Sequence, residues 1–373
     1  MTLHLSPSDL AGEIAAMPSK ADLHRLMIAS HLAGLDITAM PVISEDIAAT
    51  RDCLLAKEAA NCRESGSTLR FLLPVLAALG KEMTFTGERG LAERPIEPLV
   101  GLLRANGCEV SATRIPLTMR GKLRPGRYAL PGNISSQYIT GLLFALPLLD
   151  GESEIVLTSA LESAGYVKMT MQTLKKFGIS VDITKNGYKI APQAYRSPET
   201  GLLIPEGDWS NAAFWLAAGI TVTGLSEQSA QPDRMIRSLL SRMGLPRRGI
   251  VMDAAQCPDL APVMAALMAS AEGESRITNA ARLRVKECDR LRAMATNLRA
   301  LGGDVKELPD GLIIRGRRLR GGEVNSFNDH RVAMAMAIAA LQCADGVTLH
   351  EAEAVRKSYP DFWEDYKRLG GLF

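Results

Sequence analysis

Apolar and polar positions along this chain sort into two kinds of helical segment that take turns. The first kind is apolar almost all round and ends near a glycine: Leu23 to Gly34, Leu69 to Gly80, Tyr138 to Gly151, Ala212 to Gly219, Leu260 to Gly273 and Arg331 to Gly346. A helix without a polar face is buried on every side, so the pattern predicts an interior built of helices. The second kind is amphipathic: Ser44 to Ala60, Pro95 to Gly107, Tyr166 to Gly178, Asp233 to Gly244, Lys286 to Gly302 and Tyr359 to Gly370. Short β-branched or alternating runs follow many of these, as in Cys108 to Ala112, Ile179 to Ile183 and Leu312 to Arg315, and Asn186-Gly187 and Asp310-Gly311 mark turns between strands. The repeating unit reads as strand, buried helix, strand, amphipathic helix, strands. Six copies favour two domains of three units each, with sheets outside and helices inside, over a doubly wound sheet.

Composition narrows the class of function. Of the 373 residues 47% are apolar and 23% charged, which fits a folded globular chain and neither a disordered nor a membrane protein. The net charge of +2 supplies no whole-chain field for nucleic acid or an acidic membrane, so any anion must be met locally. The six cysteines form no CxxC pair and no ligand spacing with the five histidines, so no structural zinc site or disulfide framework is expected. The longest apolar run, Val332 to Ala344, is short of the ~20 residues a membrane span takes. Without a targeting segment at Met1 to Ala16, the expected location is the cytoplasm.

The chemistry gathers just ahead of the buried helices, at Pro18-Ser19-Lys20, Ser65-Gly66-Ser67-Thr68, Ser135-Ser136-Gln137, Glu206-Gly207-Asp208, Pro258-Asp259 and Asn328-Asp329-His330-Arg331. Small polar residues here cap the helix and leave N–H groups at the positive end of its dipole. One helix end gives an anion about 0.3–1 kcal/mol, so several must converge to hold a highly charged ligand. Fixed cations sit beside the same starts: Lys20, Arg25, Arg70, Arg94, Lys286, Arg290, Arg331 and Lys357. The sum points to small polyanionic substrates met in one shared gap. Plainer roles fit other residues: packing for Cys288, core filling for Met334 and Met336, polar neighbours of the site for His24 and His31, and a solvated strand edge for Arg315 to Arg320.

These strings, in this order, resemble the enolpyruvyl transferase family, and within it the branch that acts on shikimate 3-phosphate. The likeness is carried by Ser19-Lys20 with Arg25, Gly66-Ser67-Thr68-Leu69-Arg70, Glu93-Arg94-Pro95-Ile96, Ser135-Ser136-Gln137, Val285-Lys286-Glu287-Cys288-Asp289-Arg290, Asn328-Asp329-His330-Arg331, and Lys357 before Tyr359-Pro360-Asp361. It implies an α/β (α+β) fold, a two-domain inside-out barrel of three repeat units per domain. Residues 20–204 would form one domain and 1–19 with 205–373 the other, with hinge strands near 17–20 and 203–207.

The resemblance also implies a reaction: the 5-hydroxyl of shikimate 3-phosphate adds to C2 of phosphoenolpyruvate, and phosphate then leaves. Phosphoenolpyruvate would be held by Lys20, Gly66, Arg94, Gln137, Arg290, Arg331 and Lys357. Shikimate 3-phosphate would take Lys20, Arg25, Ser135, Ser136, Gln137, Ser163, Asp259 and Lys286. Glu287 is the candidate for moving the proton at C3, Asp259 for accepting the hydroxyl proton and Lys20 for assisting phosphate departure. No metal or organic cofactor, nucleic acid or membrane is implied, and the expected state is a monomer. Gly66 would admit the inhibitor glyphosate.

Five positions depart from the family pattern: Pro18, Ala21, Glu64, Phe71 and Arg282. Two rivals are a UDP-N-acetylglucosamine enolpyruvyl transferase and an RNA-end cyclase. The first typically places a cysteine in a loop that here reads Gly87-Glu88-Arg89-Gly90-Leu91-Ala92; the second needs a nucleotide site and a nucleophilic histidine, for which only His330 stands among cations.

Overall fold

A computed structural model describes residues 1–94, 96–199 and 203–373. Pro95, at the start of one predicted amphipathic segment, and residues 200–202, within the expected first domain, lie outside the described residues. The chain divides into two compact units, one made of Met1–Ser19 with Glu206–Phe373 and the other of Lys20–Pro205.

The Lys20–Pro205 unit contains helices α1 (Lys20–Leu32), α2 (Glu45–Leu55), α3 (Gly66–Ala78), α4 (Arg89–Ala92), α5 (Glu97–Ala105), α6 (Ser136–Ala145) and α7 (Ala164–Lys176). The three that are apolar all round are the buried ones. Every residue from Asp22 to Ser30 in α1, Thr68 to Ala78 in α3 and Tyr138 to Ala145 in α6 is buried. Helix α5 instead buries only Leu99, Val100 and Leu103, the stripe its periodicity predicts. Gly141 lets α6 cross close to α3, since a Cβ there would come 2.7 Å from Pro74 Cγ and 3.2 Å from Phe71 Cα.

Two four-stranded sheets face outward, with Arg127–Leu130 alternating exposed and buried residues as a half-solvated strand must. One sheet runs Ala59–Asn61, Met83–Thr86, Leu117–Gly121, Cys108–Val110; the other runs Arg127–Leu130, Ser153–Leu157, Gly187–Ile190, Asp182–Thr184. In both, one parallel pair is followed by two antiparallel pairs.

The other unit repeats this arrangement in Val251–Asp253, Glu274–Thr278, Gly311–Arg315 and Asp304–Leu308. It adds a three-stranded sheet, Thr2–Leu5, Val347–His350 and Gly322–Asn325, and a parallel pair, Thr221–Thr223 with Glu13–Ala15. Its helices are α8 (Trp209–Ala217), α9 (Ile236–Met243), α10 (Ala261–Met268), α11 (Arg290–Ala300), α12 (His330–Ala340) and α13 (Phe362–Arg368), of which α8, α10 and α12 form the interior.

The turns at Asn186-Gly187 and Asp310-Gly311 close hairpins, pairing Gly187 with Thr184 and Gly311 with Leu308. The sheets are small and open, so the inside-out barrel consists of helices walled by separate sheets. The expected unit is incomplete in its first copy, because no strand lies between Leu32 and Glu45. Near the unit boundary Pro18 bridges Gly207, the Ser19 N–H donates to the Glu206 carbonyl (2.7 Å) and the Asp208 N–H to that of Met17 (2.8 Å). No helix among the described residues is long and apolar enough to cross a membrane.

Candidate active site

Within the Lys20–Pro205 unit, the starts of α1, α3 and α6 are joined by polar side chains. Ser65 caps α3 by accepting the Thr68 N–H (3.2 Å), and Ser135 caps α6 by accepting that of Gln137 (3.3 Å). Gln137 Nε2 donates to Ser67 Oγ at 2.9 Å, which sets the first turns of α3 and α6 side by side. Lys20 opens α1 and donates to Asp46 Oδ2 at 2.8 Å; the Asp46 carbonyl accepts Thr68 Oγ1 at 3.4 Å, which ties α1 through α2 to α3.

Gly66 heads α3 between two guanidinium groups. A Cβ on Gly66 would lie 2.8 Å from Arg94 Nη2 and 2.9 Å from Arg94 Nη1, with Arg70 Nη1 also in the way; that nitrogen donates to the Gly66 carbonyl at 3.2 Å. Arg94 is 8% exposed, and its side chain has no hydrogen-bond or ion-pair partner among the described residues. A buried, uncompensated cation at a helix N-terminus is chemically suited to an anion.

Arg25 lies deeper. Its guanidinium donates to Ala21 O (2.5 Å), Tyr166 O (3.0 Å) and Thr170 Oγ1 (2.9 Å) and sits over the Phe71 and Tyr166 rings. Burial pulls its pKa down to about 10. Ser136 is buried in the first turn of α6, and buried Ser163 precedes α7 in left-handed backbone at φ +54°, a conformation costly for a serine and typical of functional turns.

In the other unit Asp259, Lys286, Glu287, Arg290 and Arg331 form one ion cluster, and Lys357 bonds a nearby backbone carbonyl. Arg290, 1% exposed, donates from Nη1 to Asp259 Oδ1 (2.8 Å), from Nη2 to Glu287 Oε2 (2.8 Å) and from Nε to Asp329 Oδ2 (2.7 Å). Arg331 Nη2 donates to Asp259 Oδ2 at 3.1 Å, Lys286 Nζ lies 3.8 Å from Asp259 Oδ1, and Lys357 Nζ donates to the Asn328 carbonyl at 2.6 Å. Burial pushes the Asp259 carboxyl up, but Arg331, Lys286 and Arg290 outweigh it and hold the group well below the usual carboxylate range. Burial likewise draws Lys286 down to about 8, against the pull of Asp259. Burial alone would lower Arg290, yet Asp329, Glu287 and Asp259 fix its charge.

Sequence reading did not anticipate several members of these clusters. Asp329 is legible as the cap of α12, where it accepts the Arg331 N–H (2.8 Å), but it is also the buried counter-ion of Arg290. Asp46 gave only the ordinary signal of an acidic first turn. Arg284 ties the Lys286 loop to a hairpin by donating to Asp289 Oδ2 (2.7 Å), Glu307 Oε1 (2.8 Å), Leu308 O (2.6 Å) and Pro309 O (2.8 Å).

The departures from the family pattern find local partners. Glu64 Oε1 accepts the Gly90 N–H (3.3 Å), the Ala21 carbonyl orients Arg25, and Arg282 Nη2 donates to the Ala255 carbonyl (2.7 Å). Phe71 packs edge-on to His24, whose Nδ1 pairs with Thr50 Oγ1 at 2.7 Å; burial keeps that imidazole neutral.

Comparison with known proteins sets these clusters in context. Residues 13–366 match the family described as EPSP synthase (3-phosphoshikimate 1-carboxyvinyltransferase). The chain is similar to the 3-phosphoshikimate 1-carboxyvinyltransferase of Clostridium novyi, at 41% identity over 427 aligned positions that cover 99% of this chain and 98% of the relative. It is 40% identical to that of Clostridium kluyveri, covering 98% and 97%. In fold it is similar to the EPSP synthase of Acinetobacter baumannii, with a TM-score of 0.79 at 23% identity over 99% of this chain and 98% of that one.

Proposed function

The chain belongs to the EPSP synthase family, and from that premise we propose that it transfers the enolpyruvyl group of phosphoenolpyruvate to the 5-hydroxyl of shikimate 3-phosphate and releases phosphate. The observation that carries this reading is the cluster in which buried Arg290 holds half-buried Asp259 and Glu287 and buried Asp329 together. It supplies two carboxylates for proton transfer and the cations for an anionic substrate. Lys20, Gly66, Arg94 and Gln137 from one unit, with Arg290, Arg331 and Lys357 from the other, would bind phosphoenolpyruvate. Arg25, Ser135, Ser136, Ser163, Asp259 and Lys286 would bind shikimate 3-phosphate, with Lys20 and Gln137 shared. Gly66 leaves room for phosphoenolpyruvate and for glyphosate beside Arg94.

Asp259 is a poor base while Arg290 and Arg331 face it. As those cations turn to substrate oxygens, its proton affinity rises, and it accepts the 5-hydroxyl proton as the oxygen attacks C2. Glu287, which takes up a proton from solvent as Arg290 turns to the substrate, delivers it to C3, making the methyl group of a tetrahedral adduct. The C2–O bond to phosphate then breaks, Lys20 gives a proton to the departing oxygen and regains one from solvent as Asp259 releases the hydroxyl proton, and Glu287 takes the C3 proton back to restore the methylene. The protein would act as a cytoplasmic monomer.

Phosphate release from phosphoenolpyruvate tests this directly. It is expected with shikimate 3-phosphate and not with UDP-N-acetylglucosamine; the opposite preference would transfer the assignment to the rival enzyme. Glu287→Gln should leave substrate binding intact and lower kcat by about 10²–10⁴-fold, the scale of acid–base loss. Near-normal turnover would remove Glu287 from the role.

A further inference from the structure

We infer that Gln231 is a positioning residue for this reaction: its side-chain amide clamps the two segments through which the chain leaves and rejoins the discontinuous unit, and so sets the direction of Lys20. The inference rests on the proposed transfer. Gln231 is 3% exposed. Its Oε1 accepts from Ser19 Oγ (3.3 Å) and from the Trp209 N–H (3.0 Å), while Nε2 donates to Glu206 Oε2 (3.2 Å) and to the Gly207 carbonyl (2.8 Å). The amide orientation follows from the partners, since the Trp209 N–H can only donate and the Gly207 carbonyl can only accept. Ser229 fixes the approach, donating to the same Glu206 oxygen at 2.5 Å and accepting the Gln231 N–H at 3.1 Å.

A primary amide suits this place because it brings two donors and an acceptor with two lone pairs. Backbone pairing between the two segments includes the Ser19 and Asp208 N–H bonds, and the Gln231 side chain adds a buried link from Ser19 to Glu206, Gly207 and Trp209. Lys20 follows Ser19 immediately. Trp209 opens α8, whose cap Asp208 accepts the Asn211 N–H at 2.7 Å. A misplacement of about 1 Å in a catalytic group can cost about 10²-fold in rate, so the clamp acts on catalysis without touching substrate.

Gln231→Glu separates this role from plain stability. One carboxyl oxygen keeps the Ser19 and Trp209 partners; the other meets Glu206 and the Gly207 carbonyl, both acceptors, and fits only when a proton sits between them. Glu206 is the charged group in contact, with Asp208 and Asp233 flanking and Lys20 next along the chain. The expected result is a kcat/KM near that of the wild type at about pH 5, falling about 10–100-fold toward neutral pH. The wild type lacks this limb, and thermal unfolding should show the variant folded throughout. If the variant follows the wild-type profile, or loses activity only as it unfolds, the inference is overturned. Should it not fold at all, Gln231→Met decides: folded with lowered kcat/KM supports the clamp, and unchanged kcat/KM refutes it. Wild-type protein that releases no phosphate would overturn the proposed reaction and this inference with it, whereas active wild type with an indifferent Gln231 overturns the inference alone.

Discussion

Lys286 shows how burial writes a pH dependence into one side chain. Desolvation lowers its pKa to about 8, and Asp259 restores only part of the loss. In the free enzyme the ammonium is therefore present below about pH 8 and lost above it. Because that charge serves the phosphate of shikimate 3-phosphate in the proposed site, kcat/KM for this substrate should fall as pH rises through about 8. The limb should be weaker in kcat, since bound phosphate holds the proton in place. Lys286→Arg should move the limb out of range, because a guanidinium stays charged; an unchanged limb in that variant would assign it to another group. Lys286, Arg94 and Arg290 were legible in the sequence because cations beside glycine, serine or proline turns at the head of apolar runs are unusual. Asp46 was not, since its value comes from Lys20 on a different helix, 26 positions away in sequence.

At the scale of elements, α12 carries more than its apolar run announces. Asp329 caps the helix through the Arg331 and Val332 N–H groups (2.8 and 3.4 Å) and, fully buried, neutralises Arg290. Removing a cap costs about 1 kcal/mol; leaving a buried charge short of its partner costs about 3–5 kcal/mol. Asp329→Ala should therefore destabilise the protein by several kcal/mol in denaturant titration. Asp329→Asn, which keeps an acceptor for the cap, should recover only the smaller share. Wild-type stability in Asp329→Asn would mean that capping, not charge, is what Asp329 supplies. All six buried helices were readable from periodicity, because a helix that must be apolar on every side leaves no ambiguity of face. Strands were harder. The run Ile179 to Ile183 yields a strand only at Asp182–Thr184, and the stretch between α1 and α2 yields none. Three-residue strands take their identity from sheet partners far along the chain.

At the scale of the whole molecule, the described residues form two hydrophobic cores that share no residue. One gathers Trp209, Phe214, Trp215, Met264, Val332 and Phe362; the other gathers Leu26, Leu69, Leu72, Ile139, Phe144 and Phe177. The chain divides into two units, and their residue-level boundaries depend on backbone pairing near Ser19 and Glu206 that no periodicity encodes. Two separate cores predict two cooperative steps in calorimetric unfolding of the free protein. Ligands that draw contacts from both units change this. At about 100 times its dissociation constant a ligand adds about 2.7 kcal/mol to any step that releases it. If the proposed substrates contact both units, unfolding either one releases them. Shikimate 3-phosphate with glyphosate, which occupies the site without turnover, should then raise both steps and draw them together. A shift confined to one step would restrict the ligands to a single unit and rule out a site that recruits Lys20 and Arg94 together with Arg290, Arg331 and Lys357.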